Sequence, residues 1–499
     1  MSYFLAFIIT GILFYLSRKK SNVILFVTCV LIIVLHVFST VYGHSWGDDF
    51  IIYLEQAKAL LHGGINDIIQ KQQLIVQLSG VKHGPVLYPW GYPFFLSFIT
   101  FFFGDNFFAY KMVSVAAILA TCLAIRSFLK TDRKNIFILF LLVGINPFLF
   151  DYKNEINADI LLMCFITWGM VYVKRLIDNR DIKFSLIGSL MTGFVFFLCS
   201  FVKAAGVIVP LVFLFSAAIT ILKSQMRFDK LIYKNLSVVL AVYFILILII
   251  NKILPGYFLD YVSYYNIQTI ISATAANFIN YIFEIKTFVY NSNVYLYFSS
   301  ALISGILFMI GVYFNFRRYY YVVLLFIFTF CLVFITPYYG GVRYLLPVLP
   351  FYFLFCFLGA KHLYNYSSRP VSFIGLILPF ILIFCFLVND IQYLFGKNNL
   401  KHIKDGAFSK KANEFYNFLE KETTIQDTLI FFKPRLLTFH ANRISAVYFD
   451  SLPIPTGKFR YLTIYRNLNS NKKELRSIVP DHEKRKIFDN GDFQIYDLK

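Results

Sequence analysis

Two adjacent carboxylates, Asp48 and Asp49, follow a long apolar segment in residues 44–53 (HSWGDDFIIY). Acidic side chains beside a membrane are costly unless they bind a cation or handle a proton. The pattern after them predicts a helix that ends at residues 62–64 (HGG). Because Asp is a favoured N-cap, one of the two could serve only to start this helix. A pair of them, beside Trp46 at the membrane surface, is better suited to include a general base.

A second acidic segment, residues 151–159 (DYKNEINAD), falls between two further apolar segments. Glu155 and Asp159 are four residues apart, a spacing that places both carboxylates on one face if the segment is helical. Such a pair could position a catalytic group, hold a divalent cation through oxygen ligands, or orient an acceptor. The alternative is a solvated loop that leads into a helix, because acids are favoured at helix N-termini.

Two cations occur beside apolar segments on the same predicted side of the membrane. Lys203 interrupts the apolar run 194–210, and Arg343 follows two glycines in residues 338–344 (YYGGVRY). A phosphate on a lipid carrier would need such a charge at headgroup depth with apolar helices below it. The alternative for each side chain is that it only reaches back to the membrane interface.

A Pro- and Gly-rich hinge, residues 84–93 (GPVLYPWGYP), leads into a short apolar stretch at 89–103. This stretch is shorter than the about 20 residues of a membrane span, so we expect a helix that lies in or dips into the outer face. The hinge is expected to fix a substrate loop over the site. The loop's predicted members are Tyr53, His83, Tyr88 and Trp90.

Twelve apolar segments predict an all-α polytopic membrane protein. Hydrophobic residues make up 58% of the 499 residues, far more than in most soluble domains. The seven cysteines all lie in apolar segments and show no disulfide framework or metal-type spacing. The predicted spans are residues 2–17, 22–42, 107–129, 135–150, 158–175, 184–202, 205–222, 231–254, 294–316, 320–337, 344–361 and 371–390.

The formal charge of +20 lies in short basic clusters between these spans, which indicates membrane topology and not nucleic-acid binding. One orientation places all six clusters in the cytoplasm: 18–20, 126–134, 174–183, 223–234, 317–318 and 361–369. The external parts are then 43–106, 151–157, the turn at Lys203, 255–293, 338–343 and the tail 391–499. We therefore expect a transmembrane domain at 1–390 and an external domain at 391–499.

The tail has the pattern of a small α/β domain. Phe408, Ala412, Phe415 and Leu419 share one face of a predicted helix. Strand-like runs follow at 428–432, 461–465 and 493–496, separated by turn residues. The cations Lys433, Arg435 and Arg443 could lie over a substrate, but the main expectation for them is a solvated face.

In this order, the segments resemble integral-membrane glycosyltransferases of the GT-C fold. The likeness is to the family-39-like group of protein mannosyltransferases and lipid A aminoarabinose transferases. Residues 47–64 resemble its acidic first-loop signature, 154–169 its second acidic motif and 341–351 its Arg-Tyr-x-x-Pro element. Residues 87–112 resemble its Pro/Gly-rich lead into a juxtamembrane helix, and 489–499 the last strand of its external domain.

The resemblance implies that a sugar moves from a polyprenyl-phosphate or -diphosphate donor to a lipid, glycan or protein acceptor. Transfer would occur on the external face of a bacterial inner membrane, usually with inversion. Asp49 matches the catalytic first-loop acid, with Asp48 as the alternate, and Asp159 matches the acid of the second motif. Arg343 and Lys203, with the neighbouring Tyr344, are the expected ligands of the donor phosphate. Membrane lipids are the other expected partner, a divalent cation remains open as a cofactor, and the oligomeric state is not determined.

Two other functions share the many predicted spans. A lipid or polysaccharide transporter, or a polymerase, is the main alternative; a transporter should place ionisable residues near the membrane midplane and show repeat symmetry. The sequence indicates neither feature. A non-catalytic assembly factor that presents the tail is the third hypothesis, and the two acidic segments argue against it.

Overall fold

The computed structural model describes residues 2–17, 21–80, 84–129, 136–178, 186–223, 230–255, 267–336, 339–366, 368–397, 406–448, 457–466 and 485–498. The helices of the N-terminal part are α1 (Ser2–Ser17), α2 (Ser21–Phe38), α3 (Asp49–His62), α4 (Ile65–Leu78), α5 (Gly91–Phe103), α6 (Phe107–Leu129), α7 (Ile136–Gly144), α8 (Pro147–Tyr152) and α9 (Asp159–Asp178). They continue with α10 (Leu186–Val202), α11 (Ile208–Lys223), α12 (Lys230–Ile253), α13 (Ile267–Glu284), α14 (Val294–Asn315), α15 (Tyr320–Ile335), α16 (Leu349–Tyr364) and α17 (Arg369–Lys397). Short 3₁₀ helices occupy Ala204–Val207, Ile285–Val289 and Val342–Val348.

Seven helices in the described part of the chain are long and apolar enough to cross a membrane. They cover Phe107–Leu129, Asp159–Ile177, Ala204–Leu222, Tyr233–Ile253, Val294–Asn315, Val342–Tyr364 and Arg369–Gly396. Shorter apolar helices cover Ser2–Tyr15, Val23–Phe38, Gly91–Phe103, Leu186–Val202 and Tyr320–Ile335. Together with the C-terminal sheet, they confirm the predicted fold class of a polytopic helical membrane protein with a small α/β domain.

The predicted span at 135–150 is wrong as a single helix. The chain breaks after α7, where the Asn146 side chain accepts a hydrogen bond from the Leu149 amide at 3.2 Å and Pro147 begins α8. Proline is tolerated at the first helical position because its missing N–H needs no partner there. With nine residues, α7 is about 14 Å long, too short to cross a bilayer, and it is buried within the protein along its whole length.

Helix α13 lies in the segment 255–293, which the sequence analysis predicts only as an external loop. Polar residues interrupt its apolar run, so hydropathy alone does not reveal it. The Asn277 amide donates to the Thr336 carbonyl at 2.7 Å and ties α13 to the end of α15. This contact brings α13 beside the segment that carries Arg343.

Two glycines let neighbouring helices approach closely, one near the end of α16 and one at the start of α5. A Cβ on Gly359 of α16 would lie 2.0 Å from the Leu307 carbonyl oxygen of α14, so only glycine permits this crossing. A Cβ on Gly91, at the start of α5, would lie 2.5 Å from the Phe201 backbone of α10. The hinge before α5 therefore lies against the turn that contains Lys203.

The C-terminal domain contains α18 (Lys410–Glu422), α19 (Pro434–Ala441) and a five-stranded sheet in the order β2-β1-β3-β5-β4. The strands are β1 (Leu429–Ile430), β2 (Ser445–Ala446), β3 (Tyr461–Tyr465), β4 (Lys486–Asp489) and β5 (Phe493–Asp497). Strands β2, β1 and β3 are parallel, whereas β5 is antiparallel to both β3 and β4. The amphipathic helix is confirmed for Ala412, Phe415 and Leu419, whereas Phe408 precedes it. The strands at 461–465 and 493–496 are confirmed, and the run at 428–432 contains only a two-residue strand.

This domain packs on the first loop. The Trp46 ring lies 5.1 Å from the Phe432 ring and 5.1 Å from the Tyr465 ring, between centroids. Trp46 therefore packs against the C-terminal domain. The Gly80 amide also donates to the Val447 carbonyl at 3.0 Å, so α4 and the sheet are joined by backbone contacts.

Candidate active site

A cavity of about 470 Å³ lies where the first loop, the second acidic segment and the start of a late span meet. It contains the carboxylates of Asp49 and Glu155 and the guanidinium of Arg343. The two acidic motifs are more than a hundred residues apart in sequence, and the structure brings them together. The lining residues are Val41, His44, Ser45, Gly47, Asp49, Phe50, Asp151, Tyr152, Asn154, Glu155, Ile156, Asn157 and Arg343.

Asp49 is the first residue of α3 and faces the cavity, with 35% of its side chain exposed. The Tyr88 hydroxyl donates to its Oδ1 at 2.7 Å, and Arg343 Nη1 lies 3.4 Å from its Oδ2. Burial raises the pKa of the Asp49 carboxyl, but Arg343, Tyr88, Arg435 and Lys203 together hold it below its usual value. Asp49 is therefore ionised at neutral pH.

Asp48 occupies the N-cap position of α3 but makes no side-chain hydrogen bond to cap that helix. Its carboxylate is buried, and Oδ1 accepts a hydrogen bond from the Leu436 amide at 3.1 Å. Leu436 lies in the first turn of α19, where backbone amides lack partners within the helix. Asp48 thus caps a helix of the C-terminal domain, and the two neighbouring carboxylates are directed to different places.

Three residue pairs form hydrogen bonds between the start of the first loop and the second acidic segment. Ser45 Oγ donates to Glu155 Oε1 at 2.8 Å, and the Ile156 amide donates to His44 Nε2 at 3.0 Å. The Val41 amide donates to the Asn154 side-chain oxygen at 3.0 Å. Burial lowers the pKa of His44 more than the nearby Glu155 carboxylate raises it, so the imidazole is neutral. A neutral ring suits an Nε2 that accepts a hydrogen bond.

Glu155 and Asp159 do not share a helical face, which corrects the sequence-based expectation. Helix α9 begins at Asp159, and Glu155 lies in the preceding turn. Asp159 is buried, forms an ion pair with Lys203 and accepts from the Tyr152 hydroxyl at 2.9 Å. Burial and the Asp159 carboxylate raise the pKa of Tyr152 well above its ordinary value, so this hydroxyl stays protonated. Asp159 is not among the residues that line the cavity.

The two predicted phosphate ligands both lie near one aromatic ring. Lys203 Nζ lies 4.8 Å from the centroid of the Tyr344 ring, and Arg343 Cζ lies 5.2 Å from it. Arg343 Nε donates to the Gly340 carbonyl at 3.1 Å, which orients the guanidinium toward the cavity. The backbone enters this segment through Gly341, whose φ of 72° is in the left-handed region that favours glycine.

The predicted substrate-loop residues have different environments. Tyr88 contacts Asp49, and its backbone forms two hydrogen bonds with the Gln56 side chain, at 2.9 and 3.1 Å. Tyr53 and Trp90 are buried, and the Trp90 indole donates to the Pro255 carbonyl at 3.1 Å. Neither Tyr53 nor Trp90 lines the cavity. His83 lies outside the described residues.

Several cations are buried in the structure although their local sequence does not indicate the contacts that they make. The predicted solvated face is wrong for Arg435 and Arg443, which are both buried. Arg435 Nη2 donates to the Pro85 carbonyl at 2.6 Å, whereas Arg443 bonds backbone carbonyls within its own domain, including Thr423 at 2.7 Å. Lys111 is fully buried and donates to the carbonyls of Val41 and Gly43, at 2.6 Å each. A lysine inside an apolar span was the only signal for that contact.

No group of three or more His, Cys, Asp or Glu side chains among the described residues is arranged to hold a metal ion. Three carboxylates, Asp49, Asp151 and Glu155, do line the cavity. Oxygen ligands of this kind suit hard divalent cations.

No known protein-family model and no curated protein matches the sequence. Solved structures do. ArnT from Cupriavidus metallidurans in the apo state superposes with a TM-score of 0.56 at 10% identity, over 95% of this chain and 97% of ArnT. ArnT bound to undecaprenyl phosphate gives a TM-score of 0.57 at 10% identity, over 97% of this chain and 99% of ArnT.

The oligosaccharyltransferase of Archaeoglobus fulgidus, in complex with Zn and sulfate, superposes with a TM-score of 0.62 at 13% identity. The match covers 88% of this chain and 67% of that enzyme. At such low identity the likeness concerns the fold. It agrees with the fold that the sequence resemblance implied, and the chain is a polytopic membrane protein with the GT-C fold that ArnT and this oligosaccharyltransferase share.

Proposed function

We propose that the chain is a membrane glycosyltransferase that moves a sugar from a polyprenyl-phosphate- or diphosphate-linked donor to a hydroxyl-bearing acceptor. The reaction takes place in the cavity that contains Asp49, Glu155 and Arg343, on the external face of the membrane. The acceptor belongs to the lipid, glycan or protein class.

One observation carries the proposal: a carboxylate and a guanidinium, Asp49 and Arg343, face each other at 3.4 Å in a cavity at the ends of apolar helices. Transfer from a lipid phosphate needs a base for the acceptor and a cation for the leaving group. The fold supports the same assignment. ArnT has been solved with undecaprenyl phosphate, and AglB, the oligosaccharyltransferase of Archaeoglobus fulgidus, has been solved with a dolichol-phosphate.

Asp49 is the proposed general base. It accepts the proton of the acceptor hydroxyl while the hydroxyl oxygen attacks the anomeric carbon, and the bond from that carbon to the phosphate oxygen breaks. Attack opposite to the leaving group inverts the anomeric configuration. Before the donor binds, Arg343 is one of the groups that lower the pKa of Asp49. A donor phosphate at Arg343 neutralises that charge, so the pKa of Asp49 rises and the carboxylate becomes a stronger base.

Arg343 and Lys203 are the proposed ligands of the leaving phosphate. The guanidinium can bind two phosphate oxygens in a bidentate manner, and the ammonium adds a second positive charge. Both cations lie near the Tyr344 ring, although Arg343 lines the cavity and Lys203 and Tyr344 do not. The polyprenyl chain then extends along the apolar helices below.

The acids of the second motif are assigned positioning roles. Asp159 binds Lys203 and Tyr152 and is buried behind the cavity, so it fixes the direction of the Lys203 ammonium. Glu155 lines the cavity but accepts from Ser45, which ties the second motif to the first loop. Glu155 is also the proposed second carboxylate for binding the acceptor.

A divalent cation is the open part of this proposal. Carboxylate oxygens line the cavity, but no three acids among the described residues are grouped to hold a metal ion. The solved complex of the archaeal oligosaccharyltransferase with Zn is consistent with such a cation in this fold. A chelator titration followed by addition of Mg²⁺, Mn²⁺ or Zn²⁺ tests whether turnover depends on it.

The purified protein in lipid nanodiscs, mixed with radiolabelled undecaprenyl-phosphate-linked sugars and envelope lipids, tests the function. We expect one donor to lose its sugar to an acceptor and to leave free undecaprenyl phosphate. The main alternative, a transporter, predicts a different result in proteoliposomes: the intact labelled lipid would change leaflet with no cleavage of the sugar–phosphate bond. Movement without cleavage would contradict the proposal.

A further inference from the structure

The C-terminal domain reaches the surroundings of Asp49 through one buried arginine. Arg435 is 2% exposed, and its Nη2 donates to the Pro85 carbonyl at 2.6 Å. Gly84 lies directly against it, since a Cβ at that position would be 3.0 Å from Arg435 Nη1. Charge-assisted hydrogen bonds of this length are among the stronger polar contacts in proteins.

The segment that Arg435 holds leads directly to the proposed base. Three residues after Pro85, the Tyr88 hydroxyl donates to Asp49 Oδ1 at 2.7 Å. The Tyr88 backbone is fixed from the other side by Gln56 of α3. Residues 84–88 are therefore held between α3 and the C-terminal domain, and their position sets where the Tyr88 hydroxyl meets the carboxylate.

A second contact docks the same helix. The residue after Arg435 is Leu436, whose amide N–H donates to Asp48 Oδ1 at 3.1 Å. Helix α19 has no side-chain cap from its own N-cap residue, Lys433. A carboxylate at the first turn also interacts favourably with the helix dipole. Asp48 thus fixes the end of α19 from which Arg435 projects.

We propose that the C-terminal domain is part of the catalytic apparatus, with Arg435 as a positioning residue that acts on Asp49 through the segment 84–88 and with Asp48 as its docking point. The proposal rests on the function proposed above for Asp49. It assigns the two adjacent acids different tasks, because Asp49 handles the proton and Asp48 holds the helix.

The electrostatics agree with this geometry. Arg435 is one of the cations that lower the pKa of Asp49, although Arg343 has the larger effect. The charged and titratable groups around Asp49 are Arg343, Lys203, Arg435, Tyr88, Tyr152, His44, Asp151 and Glu155. Removal of the Arg435 charge leaves the others in place, so the pKa of Asp49 should rise and the base should be protonated at higher pH.

The test compares Arg435→Met, Arg435→Lys and Arg443→Lys in the full chain, in nanodiscs. Amide hydrogen exchange in residues 84–92 should accelerate about tenfold in Arg435→Met and less in Arg435→Lys. The acid limb of the pH profile of kcat/KM should move to higher pH in Arg435→Met and stay in place in Arg435→Lys, which keeps the charge. We expect kcat to fall about 10- to 100-fold in Arg435→Met with little change in donor KM, because misplaced reacting groups slow the chemical step.

Arg443→Lys is the matched control, because Arg443 is a buried arginine of the same domain that bonds only within that domain in the described structure. It should lower the stability of the domain and leave the exchange of 84–92 and the acid limb unchanged. Equal effects of both arginines would overturn the proposal, since Arg435 would then act only by folding the domain.

Gly84→Ala tests the same contact without a change in the C-terminal domain. The added Cβ pushes on the Arg435 guanidinium and strains a backbone with φ of 56°. It should accelerate exchange in 84–92 and at the Leu436 amide together; unchanged exchange at Leu436 would contradict the docking. Amide exchange needs no substrate, so a wild-type protein that turns over no donor would contradict the proposed function alone.

Discussion

Asp49 meets the two requirements of a general base at a donor phosphate, because it is ionised and faces the cavity beside a cation. Asp49→Asn keeps the shape and the hydrogen-bond acceptor but removes the charge. We expect transfer to fall about 10²- to 10⁴-fold, the usual loss for a general base. Initial rates of sugar transfer from a saturating labelled donor measure the effect.

Asp67→Asn is the control for this change, because Asp67 is an exposed acid of the same loop, in the first turn of α4. It should retain wild-type turnover. Asp48→Asn should lower turnover less than Asp48→Ala. An Asn oxygen can still accept a hydrogen bond from the Leu436 amide, and Asn is as good a cap as Asp. Full turnover by Asp49→Asn would exclude Asp49 as the base.

Arg343 should govern the donor and not the acceptor. Arg343→Ala removes a charge-assisted contact worth on the order of 1.5–3 kcal/mol, so a rise of about tenfold or more in donor KM is expected. Arg343→Lys should restore it only in part, because an ammonium keeps the charge and loses the fork. Kinetic titrations with each substrate varied separately measure both constants.

The pH profile gives a second readout of Arg343. Arg343 lowers the pKa of Asp49, so the acid limb of kcat/KM should lie below the usual carboxyl range and activity should be lost only as pH falls through it. Arg343→Ala should move that limb to higher pH. Arg317→Ala, at an exposed arginine of a basic cluster, should move neither the limb nor KM; a raised acceptor KM in Arg343→Ala would place Arg343 in the other half of the site.

The sequence predicts Asp49, Glu155, Tyr88 and Arg343 at the site because each stands in a locally unusual segment, polar or Gly-rich beside apolar runs. For Arg435 it offers a place over a substrate only as the second choice, after a solvated face. The Arg435–Pro85 contact joins residues 350 positions apart, and an arginine in a soluble tail looks like any solvated cation. Burial, which distinguishes Arg435 and Arg443 from Lys433, is a property of the fold and not of the local sequence.

At the scale of secondary-structure elements, the contact between the first loop and the second acidic segment depends on Lys111 of α6. Its ammonium is buried and donates to the Val41 and Gly43 carbonyls, just before the loop that carries both acids. Lys111→Met keeps the aliphatic stem but leaves two buried carbonyls without this donor. We expect a loss of stability on the order of 1–3 kcal/mol and a lower thermal unfolding midpoint in detergent.

Lys58→Met is the matched substitution. Lys58 pairs with Asp105 at 2.6 Å, but about a third of its side chain is exposed. Exposed ion pairs contribute about 0–1 kcal/mol, so the unfolding midpoint should hardly change. If Lys111→Met unfolds at the same temperature as Lys58→Met, the loop does not depend on this lysine.

Element boundaries were predictable where one physical signal was present. The helix α3 ends at Gly63 because its φ of 80° suits glycine, and this stop is visible in the sequence. The break between α7 and α8 was missed because hydropathy stays high through Asn146-Pro147, although the Asn-Pro pair is a helix-start signal. Helix α13 was missed for the opposite reason, since its stability comes from packing against α15 and not from its own apolar run.

At the scale of the whole molecule, three helices begin at the site and carry a basic residue near the other end. Helix α6 has Lys111 near the first loop and Arg126 in its last turn. Helix α9 begins at Asp159 and has Arg175 in its last turn, and α16 follows the Arg343 segment and has Lys361 in its last turn. Arg126 lies 19 residues after the start of α6 and Arg175 lies 16 residues after the start of α9. At 1.5 Å per residue these bases are about 24–29 Å from the starts of their helices, close to the thickness of the hydrocarbon core.

From the positive-inside rule we expect the basic ends in the cytoplasm and hence the cavity outside. The C-terminal domain packs on the loop that carries Asp48 and Asp49, so its side of the membrane must be that of the site. We therefore predict that alkaline phosphatase fused after Lys499 is active and that GFP fused there is dark. The same reporters inserted in the loop 130–134 should give the opposite pair of results. A fluorescent GFP after Lys499 would show that the topology is the reverse of the one predicted. The proposed transfer would then take place on the cytoplasmic face, with a donor whose sugar lies on the cytoplasmic leaflet.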